Sequence, residues 1–276
     1  MVCLTLALLL AQAQPELSRT SRDTYHPLTD IMKSSTVRAT DQQLEKLKTL
    51  PLEAIWGAVR AQGYTNCCYA GLKSSRPQER VVGRALTIRY LSDRPDLREA
   101  HQKFIQEAGV PAGWHVRAGE EAKPGDVLVA DLGGLVAEGV FFGDISALAA
   151  QVRGAAGAIL WGASRDLIEL QEMKGFPVLA VGFDPGVNVQ IPVDWNGPVR
   201  VGNATVLAGD VVVADAEAVI FFPAKIADAV IARAQAVKDQ EDYERNLVRE
   251  KKHRFRDVYP LNKELREQYE KQRKKQ

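Results

Sequence analysis

Long apolar runs are missing from this 276-residue chain. The one candidate, Val2 to Ala11, falls well short of the roughly 18 apolar residues of a spanning helix, so no membrane span is expected. An excess of either charge is missing too. With 36 basic and 35 acidic residues the net charge is +1, so bulk electrostatics predict neither a nucleic-acid binder nor a membrane-surface protein. Such a role would need a local patch. Cysteine is scarce, with only Cys3, Cys67 and Cys68. An adjacent pair rarely closes a disulfide, because the geometry is strained, and no spacing suggests a zinc site. Cys67 and Cys68 are therefore read as structural thiols. The histidines His26, His101, His115 and His253 are scattered without metal-ligand spacing and are read as structural or solvated. A full G-x-G-x-x-G or Walker sequence is absent, which leaves nucleotide binding weakly supported. Ser164 lies in Gly162-Ala163-Ser164-Arg165-Asp166, without the closing glycine of a nucleophile elbow, which argues against a serine hydrolase.

What is present describes an ordinary globular protein, 46% hydrophobic and able to bury a sizeable core. The run Val2–Ala11 is followed by Ala11-Gln12-Ala13, a small-x-small pattern that fits a signal-peptidase site. Residues 1–13 are accordingly expected to direct export to the periplasm or outside the cell, and a chain left uncleaved would be cytoplasmic. Residues 14–40 read as a linker. Two helical pieces separated by Leu50-Pro51 are expected between Asp41, a plausible N-cap, and Gln62. Arg80–Tyr90 is a strand candidate and Asp96–Ala108 a polar helix.

Lys123-Pro-Gly-Asp-Val-Leu-Val-Ala-Asp131 is echoed by Leu207-Ala-Gly-Asp-Val-Val-Val-Ala-Asp215. A duplicated unit and one turn-strand device used twice both explain this. Further short apolar runs cover 158–161, 178–182, 187–193, 199–206 and 218–222. Many short strands with few helices among them argue for a mixed sheet or β-sandwich flanked by helices rather than a regular βαβ repeat. From Ala224 to about Arg256 the pattern is one long helix, apolar at first and then almost wholly charged. Its basic end reads as a solvated face or as an arm lying on a neighbouring subunit. RNA binding finds no support there from stacking aromatics beyond Phe255 and Tyr259.

The stretch Gly143–Asp166 concentrates the chemistry. Asp144 opens an alanine-rich helix, where free backbone N–H groups favour an anion. Arg165 and Asp166 close the following strand at its carboxyl end, the usual ligand position in α/β sheets. Gly133-Gly134, after the first echoed strand, is expected to let backbone approach an anionic ligand.

Between Asp144 and Arg165 stand twenty residues. The pattern aspartate, twenty residues, arginine-aspartate resembles the active-site signature of the RraA-like family. That family includes class II 4-hydroxy-4-methyl-2-oxoglutarate/4-carboxy-4-hydroxy-2-oxoadipate aldolases and the regulators of ribonuclease activity A. Val82-Gly83-Arg84-Ala85, Pro124-Gly125-Asp126-Val127, Gly175-Phe176-Pro177-Val178 and Ala208-Gly209-Asp210 agree with it in order, and the likeness runs from about Leu44 to Ala236.

The resemblance implies an α/β fold, a swivelling β/β/α sandwich spanning 41–236, with a helical N-terminal part and a charged helical C-terminal extension at 237–276. It implies a homotrimer or hexamer with sites at subunit interfaces. It also implies a metal-dependent lyase that cleaves 4-hydroxy-2-oxo dicarboxylic acids, or decarboxylates oxaloacetate, to pyruvate through a metal-stabilised enolate. Asp166 would bind Mg2+ or Mn2+, partly through waters, and Arg165 would contact the 2-oxo group. Gly143, Asp144, Ile145 and Ser146 would hold the substrate carboxylate, with Asp144 orienting a water or transferring a proton. The family's acidic residue from a neighbouring subunit corresponds to Glu241 or Glu244. The alternative is a non-catalytic binding protein of the ribonuclease-regulator kind. Trp161 stands where the family has an aspartate before Gly162, which leaves the metal's surroundings open.

Overall fold

The computed structural model describes Ile31 and residues 37–274, and the compact unit that starts at Val37 carries every element discussed below. The expected leader at 1–13 and most of the linker at 14–40 lie outside the described residues. Among the described residues, no helix is long and apolar enough to cross a membrane.

Helix α1 (Asp41–Lys48) begins at a Thr40 capping box, in which Thr40 Oγ1 accepts from Gln43 N and Gln43 Oε1 from Thr40 N. Asp41 is thus the first helical residue and Thr40 the cap, because the hydroxyl reaches a free first-turn N–H. Pro51 leads into α2 (Leu52–Ala61). Two short strands follow, β1 (Cys68–Ala70) and β2 (Lys73–Ser74), and then the long β3 (Val81–Leu91). Helices α3 (Pro95–Ala108) and α4 (Trp114–Glu121) precede β4 (Asp126–Asp131). The next elements are α5 (Asp144–Val152), β5 (Gly157–Ser164), α6 (Leu167–Glu172) and β6 (Val178–Phe183). Strands β7 (Ile191–Trp195), β8 (Val199–Val201), β9 (Ala204–Val206), β10 (Val211–Ala214) and β11 (Ala218–Phe222) complete the β structure.

The main sheet has the order β1-β11-β10-β3-β4-β5-β6-β2, with β7 paired to the outer half of β3. It is mixed, as expected, but β3-β4-β5-β6 run parallel, and β4-α5-β5-α6-β6 forms two consecutive βαβ crossovers. Short helices, of 9 and 6 residues, and the small residues of α5 disguised these crossovers in the sequence. Ala147 and Ala150 are fully buried and let that helix lie close on the sheet.

Strand alternation separates two faces. Leu86, Ile88, Leu128, Ala130, Leu160 and Val178 face α4, α5 and α6, and at the other end Val82, Val211, Val213 and Phe222 face α1, α2 and a C-terminal helix. The opposite face, with Ala85, Val127, Val129, Ile159 and Phe221, is covered by Val199, Val201, Ala204 and Val206 of the β8–β9 hairpin. The result is a β/β/α sandwich of helices, main sheet and small sheet. Each large apolar side chain buried this way contributes about 1.5–3 kcal/mol.

The C-terminal part corrects the expected long polar helix. Helix α7 (Ala227–Glu250) stops at Lys251, whose φ is 57°, and the chain folds back through α8 (Phe255–Val258) and α9 (Lys263–Arg273). A small separate core of Leu247, Val258, Leu261 and Leu265 holds the fold-back, flanked by Tyr243 and Tyr269 with ring centroids 5.3 Å apart. Tyr243 and Leu247 lie four residues apart on one helix face, an apolar seam too short to stand out among the charges.

Candidate functional site

The carboxyl ends of the parallel strands bring the two halves of the Gly143–Asp166 stretch together. After β4 ends, residues 139–142 occupy the lane beside β5. Val140 bridges Ala163 in parallel, Phe141 N donates to the Ala163 carbonyl at 2.9 Å, and Arg165 N donates to the Phe142 carbonyl at 3.1 Å. Ser164 is fully buried, and its hydroxyl donates to the same Phe142 carbonyl at 3.0 Å. It locks the end of β5 to the segment entering α5.

Gly143 is the N-cap of α5 and sits against Asp166. A Cβ at position 143 would collide with Asp166 Oδ2 and come within 3.0 Å of Arg165 Nε, so this close approach requires glycine. Asp144 N donates to Asp166 Oδ2 at 3.2 Å, and Arg165 Nε lies 3.6 Å from the same oxygen. Asp166 itself adopts the left-handed conformation (φ 58°, ψ 47°), an uncommon state for a side-chain-bearing residue and one often held at functional sites.

Both charged groups remain accessible, with Arg165 44% and Asp166 35% exposed. Asp144 and Ser146 are half-buried, whereas Ile145 is 79% exposed and can offer the site only its backbone. The N–H groups of the first turn of α5 lack intrahelical acceptors and form the positive end of the helix dipole. The site therefore combines an anion-binding helix start, a guanidinium and a carboxylate.

Among the described residues, no three His, Cys, Asp or Glu side chains gather as a metal-binding group. Asp166 offers one carboxylate, with Oδ2 engaged by Asp144 N and Oδ1 without a hydrogen-bond partner among the described residues. A single hard oxygen donor fits a small divalent cation that keeps most of its water shell, as Mg2+ does.

One sequence expectation is corrected. The Gly133-Gly134 backbone is spent internally, Gly133 N on Asp131 Oδ1 and Gly134 N on the Trp161 carbonyl, both at 3.0 Å, so these groups do not await an anion. Trp161 turns toward the small sheet, where its ring meets Tyr69 edge-on at 4.9 Å. A bulge between Leu160 and Ala163 in the β5–β6 pairing sits at this point and re-aims the residues that follow.

His115 was read from the sequence as structural or solvated. It lies half-buried on the first turn of α4, and burial, followed by the charge of Arg165, holds its imidazole below the ordinary pKa. Nothing in its spacing linked it to the motif, since only the packing of α4 beside α5 brings it into the field of Arg165. Of the two acidic residues weighed on α7, Glu244 is buried and accepts from Gln240 Nε2 at 2.8 Å, and Glu241 pairs with Arg245 at 2.7 Å.

A family model described as RraA-like, Aldolase/RraA, matches residues 53–221. A protein of Halalkalibacterium halodurans named "Putative 4-hydroxy-4-methyl-2-oxoglutarate aldolase" is 27% identical over 202 residues, which cover 73% of this chain and 85% of that protein. Among solved structures, an uncharacterized protein from Pseudomonas syringae pv. tomato superposes with a TM-score of 0.67 at 20% identity, over 81% of this chain and 95% of its own. RraAS2 of Streptomyces coelicolor, described as an unusual member of the RNase ES inhibitor RraA protein family, gives 0.64 at 24% identity, over 75% and 98%. These two structural likenesses bear on the fold alone.

Proposed function

Because this chain belongs to the RraA-like family, we propose that it is a divalent-metal-dependent lyase that cleaves 4-hydroxy-2-oxo dicarboxylic acids, or decarboxylates oxaloacetate, to give pyruvate. The observation that carries this reading is the convergence of Arg165, Asp166 and the α5 N-terminus across a glycine whose missing side chain leaves room for the Asp166 carboxylate. The relative of H. halodurans, whose name refers to 4-hydroxy-4-methyl-2-oxoglutarate, supports the substrate class.

Breaking the bond beyond the 2-oxo group leaves an electron pair that spreads onto the 2-oxo oxygen, so catalysis needs positive charge fixed at that oxygen. Arg165 supplies it. The backbone N–H groups of Ile145 and Ser146 hold the C1 carboxylate, and Asp144 orients a water or moves a proton. Asp166 would hold Mg2+ or Mn2+ with waters completing the shell, and the ion would add Lewis-acid polarisation of the 2-oxo group. Asp144 N fixes the Asp166 carboxylate, and the parallel bridge at Val140 fixes Arg165 relative to both.

Ile145, Leu148 and Val152 form an exposed apolar stripe on α5, and Ile168 on α6 is 71% exposed. This stripe beside the site supports assembly as a homotrimer or hexamer, to be measured by light scattering.

The test is pyruvate release from oxaloacetate and from 4-hydroxy-4-methyl-2-oxoglutarate, with and without Mg2+. Metal-dependent release is expected. The proposal fails if neither acid is turned over. Retention of an RNA-degrading enzyme by such an inactive protein would put the regulator reading in its place.

A further inference from the structure

The fold-back that ends the chain presents a surface that the proposed lyase chemistry does not use. Phe255 and Tyr259, four residues apart on and just beyond α8, are the two most exposed Phe, Tyr or Trp side chains among the described residues, at 66% and 61%. Their rings stack, with centroids 5.9 Å apart and planes 20° from parallel. They are held outward by design of the packing, because Val258, between them in sequence, is fully buried in the small core and Leu261 lies beside it.

Around this ring pair the chain is basic and exposed from Lys251 to Arg256. Some of that charge is matched locally, Arg254 by a two-pronged pair with Asp257 at 2.7 and 3.1 Å, and Lys252 by Glu250 at 3.3 Å. Arg249, Lys251 and Arg256 make no close ion pair among the described residues, although Arg256 lies in the field of Asp257.

We propose that this tip binds single-stranded nucleic acid, with bases stacking on the Phe255–Tyr259 platform and phosphates meeting Arg249, Lys251 and Arg256. A ring face accepts any base, and cations beside it follow the backbone, which is how strands are bound without sequence preference. A bilayer fits less well, since Val258 and Leu261 are turned into the core of the tip and Val248, at 45%, is the aliphatic side chain it leaves exposed. The even charge of the whole chain argued against a nucleic-acid role, and the local patch that such a role requires is what the fold-back assembles.

The test is fluorescence anisotropy with the full chain at roughly 50 mM salt. The probes are labelled oligo-U and oligo-dT of about a dozen nucleotides. Binding to at least one probe is expected, and comparing the two decides whether RNA or DNA is preferred. Phe255→Ala with Tyr259→Ala should weaken it roughly fivefold or more, and Phe255→Trp should retain it. Lys251→Gln with Arg256→Gln should reduce the slope of log affinity against log salt by about 1.4. All these side chains are exposed, so the melting temperature and any lyase rate should stay unchanged. The proposal is overturned if neither oligonucleotide binds, if the double alanine variant binds as tightly as the parent, or if a duplex binds as well as the single strand. Sedimentation with phosphatidylglycerol vesicles in the absence of oligonucleotide binding would also overturn it, in favour of a membrane surface.

Discussion

Strands β4 and β10 begin with the same turn and lie on opposite edges of β3, yet they lead to different ends. In both turns the aspartate Oδ2 accepts the N–H three residues earlier, Lys123 N to Asp126 and Leu207 N to Asp210, each at 2.9 Å. Both strands also close alike, Asp131 accepting from Gly133 N and Asp215 from Glu217 N at 3.0 Å. Arg84 is the meeting point, opposite Asp126 in a parallel pairing and opposite Val211 in an antiparallel one. One local device thus serves two topologies. The β4 copy feeds the crossovers that carry Asp144, Arg165 and Asp166, and the β10 copy feeds a hairpin with β11 and serves as scaffold.

That contrast is broken most strongly at the site. Arg165→Ala or Asp166→Ala should lower pyruvate release by about 10²–10³-fold while shifting the melting temperature little, because both side chains are partly exposed. An unchanged rate would detach the β4 side from chemistry. Gly143→Ala should follow, on the order of 10²-fold, since the new methyl group must push the Asp166 carboxylate away. A crystal structure of that variant should show the carboxylate displaced.

The scaffold side answers in stability instead. Burial raises the pKa of Asp210 from 3.8 to about 6, with the Leu207 N–H as the only opposing influence. The folded state therefore binds this proton more tightly than the unfolded chain, so the stabilisation is complete below pH 3.8 and is lost as pH rises through about 6. The contribution is on the order of 2–3 kcal/mol. Asp210→Asn, which keeps an acceptor for Leu207 N, should remove this decline from urea unfolding measured across that window. Asp126→Asn should change it less. Burial raises the Asp126 pKa too, but Arg38, Lys123 and Arg84 pull it back.

The smallest contrast lies at the turn glycines. Gly125 and Gly209 have φ of 79° and 87°, so alanine at either should cost about 1 kcal/mol. At position 125 a Cβ would also lie 2.8 Å from Arg84 Nη1, whereas position 209 is open, so Gly125→Ala should cost more. Equal losses in thermal unfolding would mean that Arg84 moves aside freely.

Much of this molecule was legible in the chain itself. The two turns, the strands they start and the helix pair at 41–61 rest on short-range patterns: glycine where φ is positive, an aspartate closing a turn, apolar residues at strand or helix period. The Asp144 to Arg165–Asp166 spacing was legible through its resemblance to the RraA-like signature. The Gly133-Gly134 expectation failed because the pair's N–H groups were claimed by Asp131 and Trp161, and the second of these contacts is between strands. The C-terminal fold-back was hidden because Tyr243 and Leu247 find partners 11 to 26 residues on, beyond the turn at Lys251, too far for periodicity to reveal. His115 was hidden for the same reason.

The sequence by itself determined the local code, namely where turns and helices begin and which faces are apolar, and its resemblance to a known signature linked Asp144, Arg165 and Asp166. Only the tertiary structure decided that residues 139–142 run beside β5, that Gly143 must lack a side chain to admit the Asp166 carboxylate, and that Phe255 and Tyr259 point outward. Bonding within a few residues is written in residue types and spacing, whereas contacts between distant strands and helices depend on the order in which the sheet is assembled.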